Sequence, residues 1–203
     1  AKGARRASEL LMQQYFLAVR ELSLANEYLI GCLRLRLHPP PPPAPIPGVL
    51  GFSRLGGMLE IDHESLFERE PGALFNALLL LQRHTELHGL TPRALRALWR
   101  AGRGIDTAFR RDPARAAQFL AIVREPRGVT LAFRLLHRLG ILGRYIPLFG
   151  RITGQMQHDG YHIHPVDEHT LMVLRNLRRL TVPDFAHEYP MQHRLMTEYP
   201  RQD

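Results

Sequence analysis

The sequence predicts a mainly α protein, a multi-helix bundle with one short β-hairpin. Three observations support this fold class. Apolar residues recur at three- and four-residue steps over several long segments, which is typical of amphipathic helices. Thr-Pro and Asp-Pro pairs precede two of these segments, as at helix starts. A Gly-Gly pair also separates two short apolar runs. With 203 residues, of which 45% are hydrophobic and 23% charged, the chain can form a buried core.

Residues 1–37 are predicted to form a long N-terminal helix, continuous from Ser8 to Leu35. One stripe along it is apolar and consists of Leu11, Tyr15, Ala18, Leu22, Ala25, Leu29 and Cys32. A helix of this length needs a partner to cover such a stripe, so we expect the stripe, Cys32 included, to lie in the core.

Residues 38–50 are predicted to form a proline-rich linker. Proline fixes φ and lacks an N–H donor, so the run of prolines favours a stiff polyproline II spacer. A ligand for a proline-recognising domain is the alternative, but spacers are the commoner use of such runs.

Residues 51–149 are predicted to form a helical domain that opens with a hairpin. The hairpin strands are Phe52–Leu55 and Met58–Ile61, on either side of Gly56-Gly57. Asp62 and Glu64 follow; a metal site is conceivable there, but we favour capping and turn formation. Helices are predicted from Pro71 to His84, Arg93 to Ala101, Ala114 to Arg124 and Val129 to Leu139, with Trp99 in the core. Pro147 breaks the apolar stretch from Ile141 to Phe149.

Residues 150–203 differ in character from the preceding helices. We expect a short helix over Gly150–Gln157, a polar turn, and a clear helix from Val166 to Leu180. The rest is predicted to be a loop with at most one short helix. The sequence has no initiator methionine and no closing element after Asp203, so we expect the natural protein to continue beyond both ends.

Composition excludes several classes of function. The single cysteine rules out an intramolecular disulfide framework and, with no membrane-spanning or signal segment in the sequence, predicts a cytoplasmic protein. The net charge is +8, but most arginines stand singly on helix faces without interleaved aromatic residues, so nucleic-acid binding is not favoured. The sequence contains no phosphate-binding glycine loop and no serine nucleophile elbow. A self-sufficient enzyme is therefore not indicated.

The strongest chemical signal is a polar cluster between residues 158 and 169. Its members are imidazoles and carboxylates, the side chains that ligate zinc, manganese or iron: His158, Asp159, His162, His164, Asp167, Glu168 and His169. Gly160 interrupts the His158–His162 spacing, and no His-Glu-x-x-His pattern is present. Taken by itself, the cluster indicates a polar loop rather than a complete metal site.

Several stretches resemble one family closely. The most specific are GRITGQMQHD at 150–159 and VDEHTL at 166–171, and the similarity extends to EPRGV at 125–129, GILGRYIP at 140–147, LFER at 66–69 and the N-terminal helix. The family is that of the bifunctional uridylyltransferase/uridylyl-removing enzymes, which modify the PII signal protein in bacterial nitrogen control. The proline run is a departure from the family pattern.

The resemblance implies a position within a longer enzyme. A nucleotidyltransferase domain that uses UTP would precede this chain, and glutamine-sensing domains would follow it. An HD-type metal-dependent hydrolase domain would begin near Val166, with His169 as its first metal ligand and the remaining ligands beyond Asp203. A divalent metal (magnesium or manganese, or else zinc) would serve the whole protein, but we expect none at His169 in this chain.

Two further expectations follow from the resemblance. No complete catalytic set is expected among these residues, and Arg151, Gln155 and Gln157 would support domain packing rather than catalysis. A helical interaction module, docking PII or relaying the glutamine signal, is the alternative, and nucleic-acid binding a weaker one.

Overall fold

The computed structural model describes residues 7–156 and 164–198 and confirms a mainly α fold. Its helices are α1 Ala7–Leu37, α2 Leu66–Arg69, α3 Ala73–Arg83, α4 Pro92–Gly102, α5 Thr107–Arg111, α6 Pro113–Arg124, α7 Val129–Arg138, α8 Ile141–Tyr145, α9 Pro147–Ile152, α10 Val166–Arg179 and α11 Pro190–Glu198. A 3-10 turn spans Pro183–Phe185.

The hairpin is confirmed and carries an additional strand. β2 (Phe52–Leu55) and β3 (Met58–Ile61) pair antiparallel across Gly56-Gly57, and both glycines have positive φ. β1 (Ala44–Pro45) pairs antiparallel with β2, and the adjacent Ile46 is buried. The interpretation of residues 38–50 as a spacer alone was therefore wrong, because the end of the proline run adds an edge strand to the sheet, where proline is tolerated.

The local signals at helix starts are confirmed at two positions. The Thr91 hydroxyl accepts a hydrogen bond from the Ala94 N–H at 3.1 Å, and the Asp112 carboxylate accepts one from the Ala114 N–H at 2.8 Å. Pro147, however, begins α9 instead of merely breaking the chain, because proline fits the first position of a helix. The predicted helix over Gly150–Gln157 was wrong, since α9 ends at Ile152.

The core forms where the hairpin and helices α3, α4 and α7 meet. Phe75 is fully buried at its centre, with ring centroids of Phe109, Phe119 and Tyr145 at 5.7, 5.7 and 5.0 Å. The contacts among these four aromatic rings hold α3 against α5, α6 and α8.

The long helix α1 packs on this core with a face that differs from the predicted one. Leu24 is buried, Tyr28 packs against the core, and Gln13 donates a hydrogen bond to the Thr153 carbonyl at 2.9 Å. The predicted apolar stripe instead faces outward: Leu11, Tyr15, Leu22 and Leu29 are all exposed. Cys32 is half-buried and is not part of the core, so its assignment to the core was also wrong. Trp99 is half-buried and packs against the core.

Candidate functional site

A buried histidine–carboxylate contact joins the helical domain to α10. His137, in the last turn of α7, places Nε2 3.1 Å from Oδ2 of Asp167, in the first turn of α10. The same Oδ2 accepts a hydrogen bond from the Gly154 N–H at 2.9 Å. Both side chains are buried, and the His137 ring packs edge-on against Phe149. Three segments that lie far apart in sequence therefore meet at one carboxylate oxygen.

This environment keeps Asp167 ionised. Burial by itself raises the pKa of Asp167, because it disfavours the charged form. The hydrogen bonds from His137 and from the Gly154 backbone outweigh burial and hold the pKa of Asp167 below its ordinary value. Oδ2 of this buried carboxylate is thus paired twice and acts as a structural anchor, whereas Oδ1 is buried without a hydrogen-bond partner among the described residues.

Two glycines explain part of the specific stretch at 150–159. Gly154 has a φ of +69°, a left-handed conformation that directs its N–H to Asp167, and a Cβ there would lie 3.2 Å from the Gln13 carbonyl oxygen. A Cβ on Gly150 would lie 2.5 Å from the carbonyl oxygen of Gly143, so the close approach of α8 and α9 requires glycine. Both positions therefore support packing at the junction.

A second contact fixes the far end of α10. The Arg178 guanidinium donates a hydrogen bond to the Glu125 carbonyl, where α6 ends, at 2.7 Å. Between the two anchors Leu171 is buried. His169 lies on the opposite side of the helix and is exposed. The structure thus holds α10 against the helical domain and turns His169 outward.

The other predicted site residues are placed as follows. His164 is exposed, whereas His158, Asp159, His162 and Gln157 lie outside the described residues. Across residues 7–156 and 164–198, no group of three His, Cys, Asp or Glu side chains is arranged to hold a metal ion. Asp167, a member of the predicted cluster, contacts His137 instead.

Four further residues singled out in the sequence are Asp62, Glu64, Arg151 and Gln155. Asp62 and Glu64 are exposed and lie in the bend and turn between β3 and α2, so the predicted turn is confirmed. The predicted capping by these acids was wrong, because α2 follows Ser65 and has no side-chain cap. Arg151 is exposed, and its carbonyl accepts a hydrogen bond from the Gln155 side chain.

His137 was missed by the sequence interpretation. It lies at the end of an ordinary amphipathic helix, 30 residues from its partner, and no spacing links the two. The signal that could have identified it is the acidic residue in the first turn of α10, which requires a cation or donor once it is buried.

A separate cleft of about 830 Å³ opens beside α4. Its lining includes an arginine row, defined as Arg93, Arg96 and Arg100 on one face of α4 and Arg103 directly after the helix. The lining also includes two aromatic and four acidic residues: Phe67, Phe109, Glu64, Glu68, Asp106 and Asp112.

Three of these arginines have local partners. Arg93 donates to the Ile61 carbonyl at 2.6 Å, Arg96 lies 3.4 Å from the Tyr28 hydroxyl, and Arg103 stacks 3.9 Å above the Trp99 ring. The Arg100 side chain is exposed, and its guanidinium makes no hydrogen bond or ion pair within the described part of the chain. The row therefore presents at least one free guanidinium to the cleft.

Fold and site together define a mainly α protein in which α10 is anchored to the preceding helices and carries an exposed histidine. None of the helices in the described residues has the length and apolar character needed to cross a membrane.

Comparison with known proteins shows which proteins this chain is similar to. Residues 52–145 match the family model described as "Uridylyltransferase GlnD third domain". The chain is 47% identical over 201 residues to the bifunctional uridylyltransferase/uridylyl-removing enzyme of Nitrosospira multiformis, and 51% identical over 195 residues to that of Thiobacillus denitrificans. These alignments cover 99% and 96% of this chain, but 23% of each relative. No solved structure matches the chain.

The resemblance inferred from the sequence is therefore confirmed. The chain is related, over nearly its whole length, to a segment of the bifunctional uridylyltransferase/uridylyl-removing enzymes, and it spans about a quarter of the length of these relatives.

Proposed function

We propose that the protein containing this segment transfers UMP from UTP to a tyrosine of the PII signal protein and removes it by hydrolysis, in response to glutamine. The observation that carries this proposal is the similarity of nearly the whole chain to enzymes named for both activities. Within such an enzyme, this segment would supply the helical domain between two catalytic units and the first helix of the uridylyl-removing unit. Its place of action would be the cytoplasm, in the control of nitrogen metabolism.

His169 is the residue we assign to the removal reaction. Removal of UMP from tyrosine is hydrolysis of a phosphodiester, and a bound divalent metal (magnesium, manganese or zinc) lowers the pKa of its water and offsets charge on the phosphoryl oxygens. An exposed imidazole on an anchored helix fits one ligand of such a metal, with the remaining ligands from an HD-type domain. The contacts of Asp167 and Arg178 would fix the direction from which this ligand approaches.

The test uses the longer protein that contains this segment. Transfer is measured with labelled UTP and PII, and removal with PII that already carries UMP. His169→Ala should lower removal by at least 100-fold and leave transfer nearly unchanged, because the metal ligand serves the hydrolase unit alone. His164→Ala is the matched control, since His164 is also an exposed histidine near α10, and it should preserve both activities. Absence of both activities in the unmodified protein would refute the proposal.

The arginine row favours a second candidate function, that of docking a protein partner. Exposed arginines are enriched at interaction surfaces, and here they share the cleft with Phe67 and Phe109 and with the acidic residues Glu64, Glu68, Asp106 and Asp112. For this second function, the cleft next to α4 receives an acidic segment of PII. Arg100 contacts that segment, because no described residue neutralises the charge of its guanidinium.

Charge reversal at the row tests this second function. Arg100→Glu should raise the KM for PII about tenfold or more at low salt and leave the KM for UTP unchanged, because docking and nucleotide binding use different surfaces. Arg124→Glu, on α6 and away from the cleft lining, is the control. Equal KM values for PII in Arg100→Glu and the unmodified protein would exclude docking at the cleft.

A further inference from the structure

The outward face of α1 is an exposed apolar seam. We define the α1 seam as Leu11, Tyr15, Ala18, Leu22, Ala25, Leu29 and Cys32. Its large members are more than half exposed, with Leu22 at 69% and Leu11 at 66%. Contiguous apolar surface of this kind marks an interaction site, whereas isolated exposed leucines do not.

The spacing of the α1 seam is that of a coiled coil. Its residues follow one another at alternating steps of four and three, so they form the two core rows of three successive heptads. One row holds the large side chains Tyr15, Leu22 and Leu29. The other row, apart from Leu11 at its start, holds the small side chains Ala18, Ala25 and Cys32. A second helix is therefore the partner that this seam fits.

We propose that the α1 seam pairs antiparallel with the α1 seam of a second copy of this chain. In antiparallel coiled coils the two core rows face each other, so each layer contains one residue from each row. Tyr15 then packs against Cys32 of the second copy, Leu22 against its Ala25, and Leu29 against its Ala18. Every central layer combines a large with a small side chain, which fills space evenly.

A parallel pair would pack less well. It would place Leu22 on Leu22 and Ala25 on Ala25, so that layers would alternate between crowded and empty. The antiparallel pair is also symmetric, because each contact is repeated by the two-fold axis, as in most dimers. The size pattern of the seam therefore selects both a second copy and its direction.

The exposed area agrees with a dimer contact. The large apolar side chains of the seam, together with Val19 and Leu33 beside it, each expose on the order of 100 Å², giving about 600 Å² of the roughly 800 Å² per partner in a standard interface. An apolar groove of about 440 Å³ between α1 and α4 continues the surface. Leu22 and Ala25 of the seam, with Tyr28 and Trp99, line this groove. Aromatic residues at such an edge are typical of interface hot spots.

Sedimentation equilibrium of this chain tests the pairing. The unmodified chain should have the mass of a dimer, and Leu22→Glu should weaken association at least 100-fold, since it places a carboxylate in a central layer of each copy. Leu131→Glu is the control: Leu131 is a similarly exposed leucine (55%) on α7, and its replacement should leave the dimer intact. Circular dichroism of both variants checks that the helices remain. A monomeric unmodified chain, or a dimer that withstands Leu22→Glu, would overturn the proposal.

Disulfide trapping tests the direction. In the antiparallel pair the two Cys32 residues lie about 25 Å apart along the helix axis, so oxidation of the unmodified chain should give no cross-link. Tyr15→Cys places a thiol opposite Cys32 of the second copy and should give a covalent dimer under oxidation. A Cys32–Cys32 cross-link in the unmodified chain, or no cross-link in a dimeric Tyr15→Cys variant, would contradict antiparallel pairing.

Discussion

The Nε2 of His137 lies 3.1 Å from Oδ2 of Asp167, and this contact connects the end of α7 to the start of α10. Both side chains are buried, so the contact is shielded from solvent. Glu168, the next residue, is also near His137, at 3.6 Å, but its side chain is half exposed. Burial therefore distinguishes the carboxylate that anchors α10 from its neighbour.

Replacement of Asp167 should destabilise the protein. Asp167→Ala leaves the Gly154 N–H and the His137 ring buried without their acceptor, at a cost of about 1–3 kcal/mol in the free energy of unfolding. Glu168→Ala, which removes an exposed carboxylate, should cost less than about 1 kcal/mol. Urea denaturation of the two variants measures the difference. Equal losses would show that the contact adds no stability.

The same contact predicts a dependence of stability on pH. Because the pKa of Asp167 is lower in the folded protein than its ordinary value of 3.8, the unfolded state binds its proton first as the pH falls. The contribution of Asp167 is complete above the ordinary value and is lost as the pH falls through the folded-state pKa. The stability difference between the unmodified chain and Asp167→Asn should therefore shrink in acid. Urea midpoints taken from neutral pH downward measure it, and a difference that grows in acid would disprove the assignment.

Gly154 should tolerate no side chain. Gly154→Ala forces an L residue into a left-handed conformation and crowds the Gln13 carbonyl, so a loss of more than about 1 kcal/mol is expected. Gly89→Ala is the control, because a Cβ there meets nothing within 4 Å. Thermal unfolding should show a lower midpoint for Gly154→Ala than for Gly89→Ala. The reverse order would refute the role given to this glycine.

We expect no specific divalent metal at His169 in this chain. A single imidazole cannot hold a metal tightly, since such sites use three or more protein ligands. Isothermal titration calorimetry with zinc and with manganese should show no stoichiometric, tight binding. Tight binding that His169→Ala abolishes would contradict this expectation and would indicate that the missing ligands lie within the chain.

Local features of the fold could be predicted because their causes are local. Thr91 and Asp112 cap helices within three residues of their own position, and Gly56-Gly57 sets the hairpin by backbone conformation alone. The specific stretch at 150–159 likewise identified the family. These predictions required no knowledge of the tertiary packing of the helices.

The orientation of α1 could not be predicted for the opposite reason. The helix is apolar on two sides: Leu24 and Tyr28 face the core and Leu17 lies beside Gly154, while the regular seam through Leu22 faces out. The periodicity of apolar residues indicates that a stripe exists, but it does not indicate which part of the protein packs against it. The His137–Asp167 contact escaped prediction for a related reason, because it depends on how α7 and α10 are brought together.

Helix α10 is fixed rigidly to the helical domain because it is attached at two points. Asp167 and Arg178 lie about 17 Å apart along the helix axis. Asp167 contacts His137 of α7, and Arg178 bonds to the carbonyl of Glu125, directly after α6. Tilting α10 by itself would break at least one attachment, so α6, α7 and α10 should turn as one body. The direction in which the His169 side chain points is then set by the orientation of the helical domain. A signal that reorients the domain would reorient this imidazole with no change in its immediate surroundings.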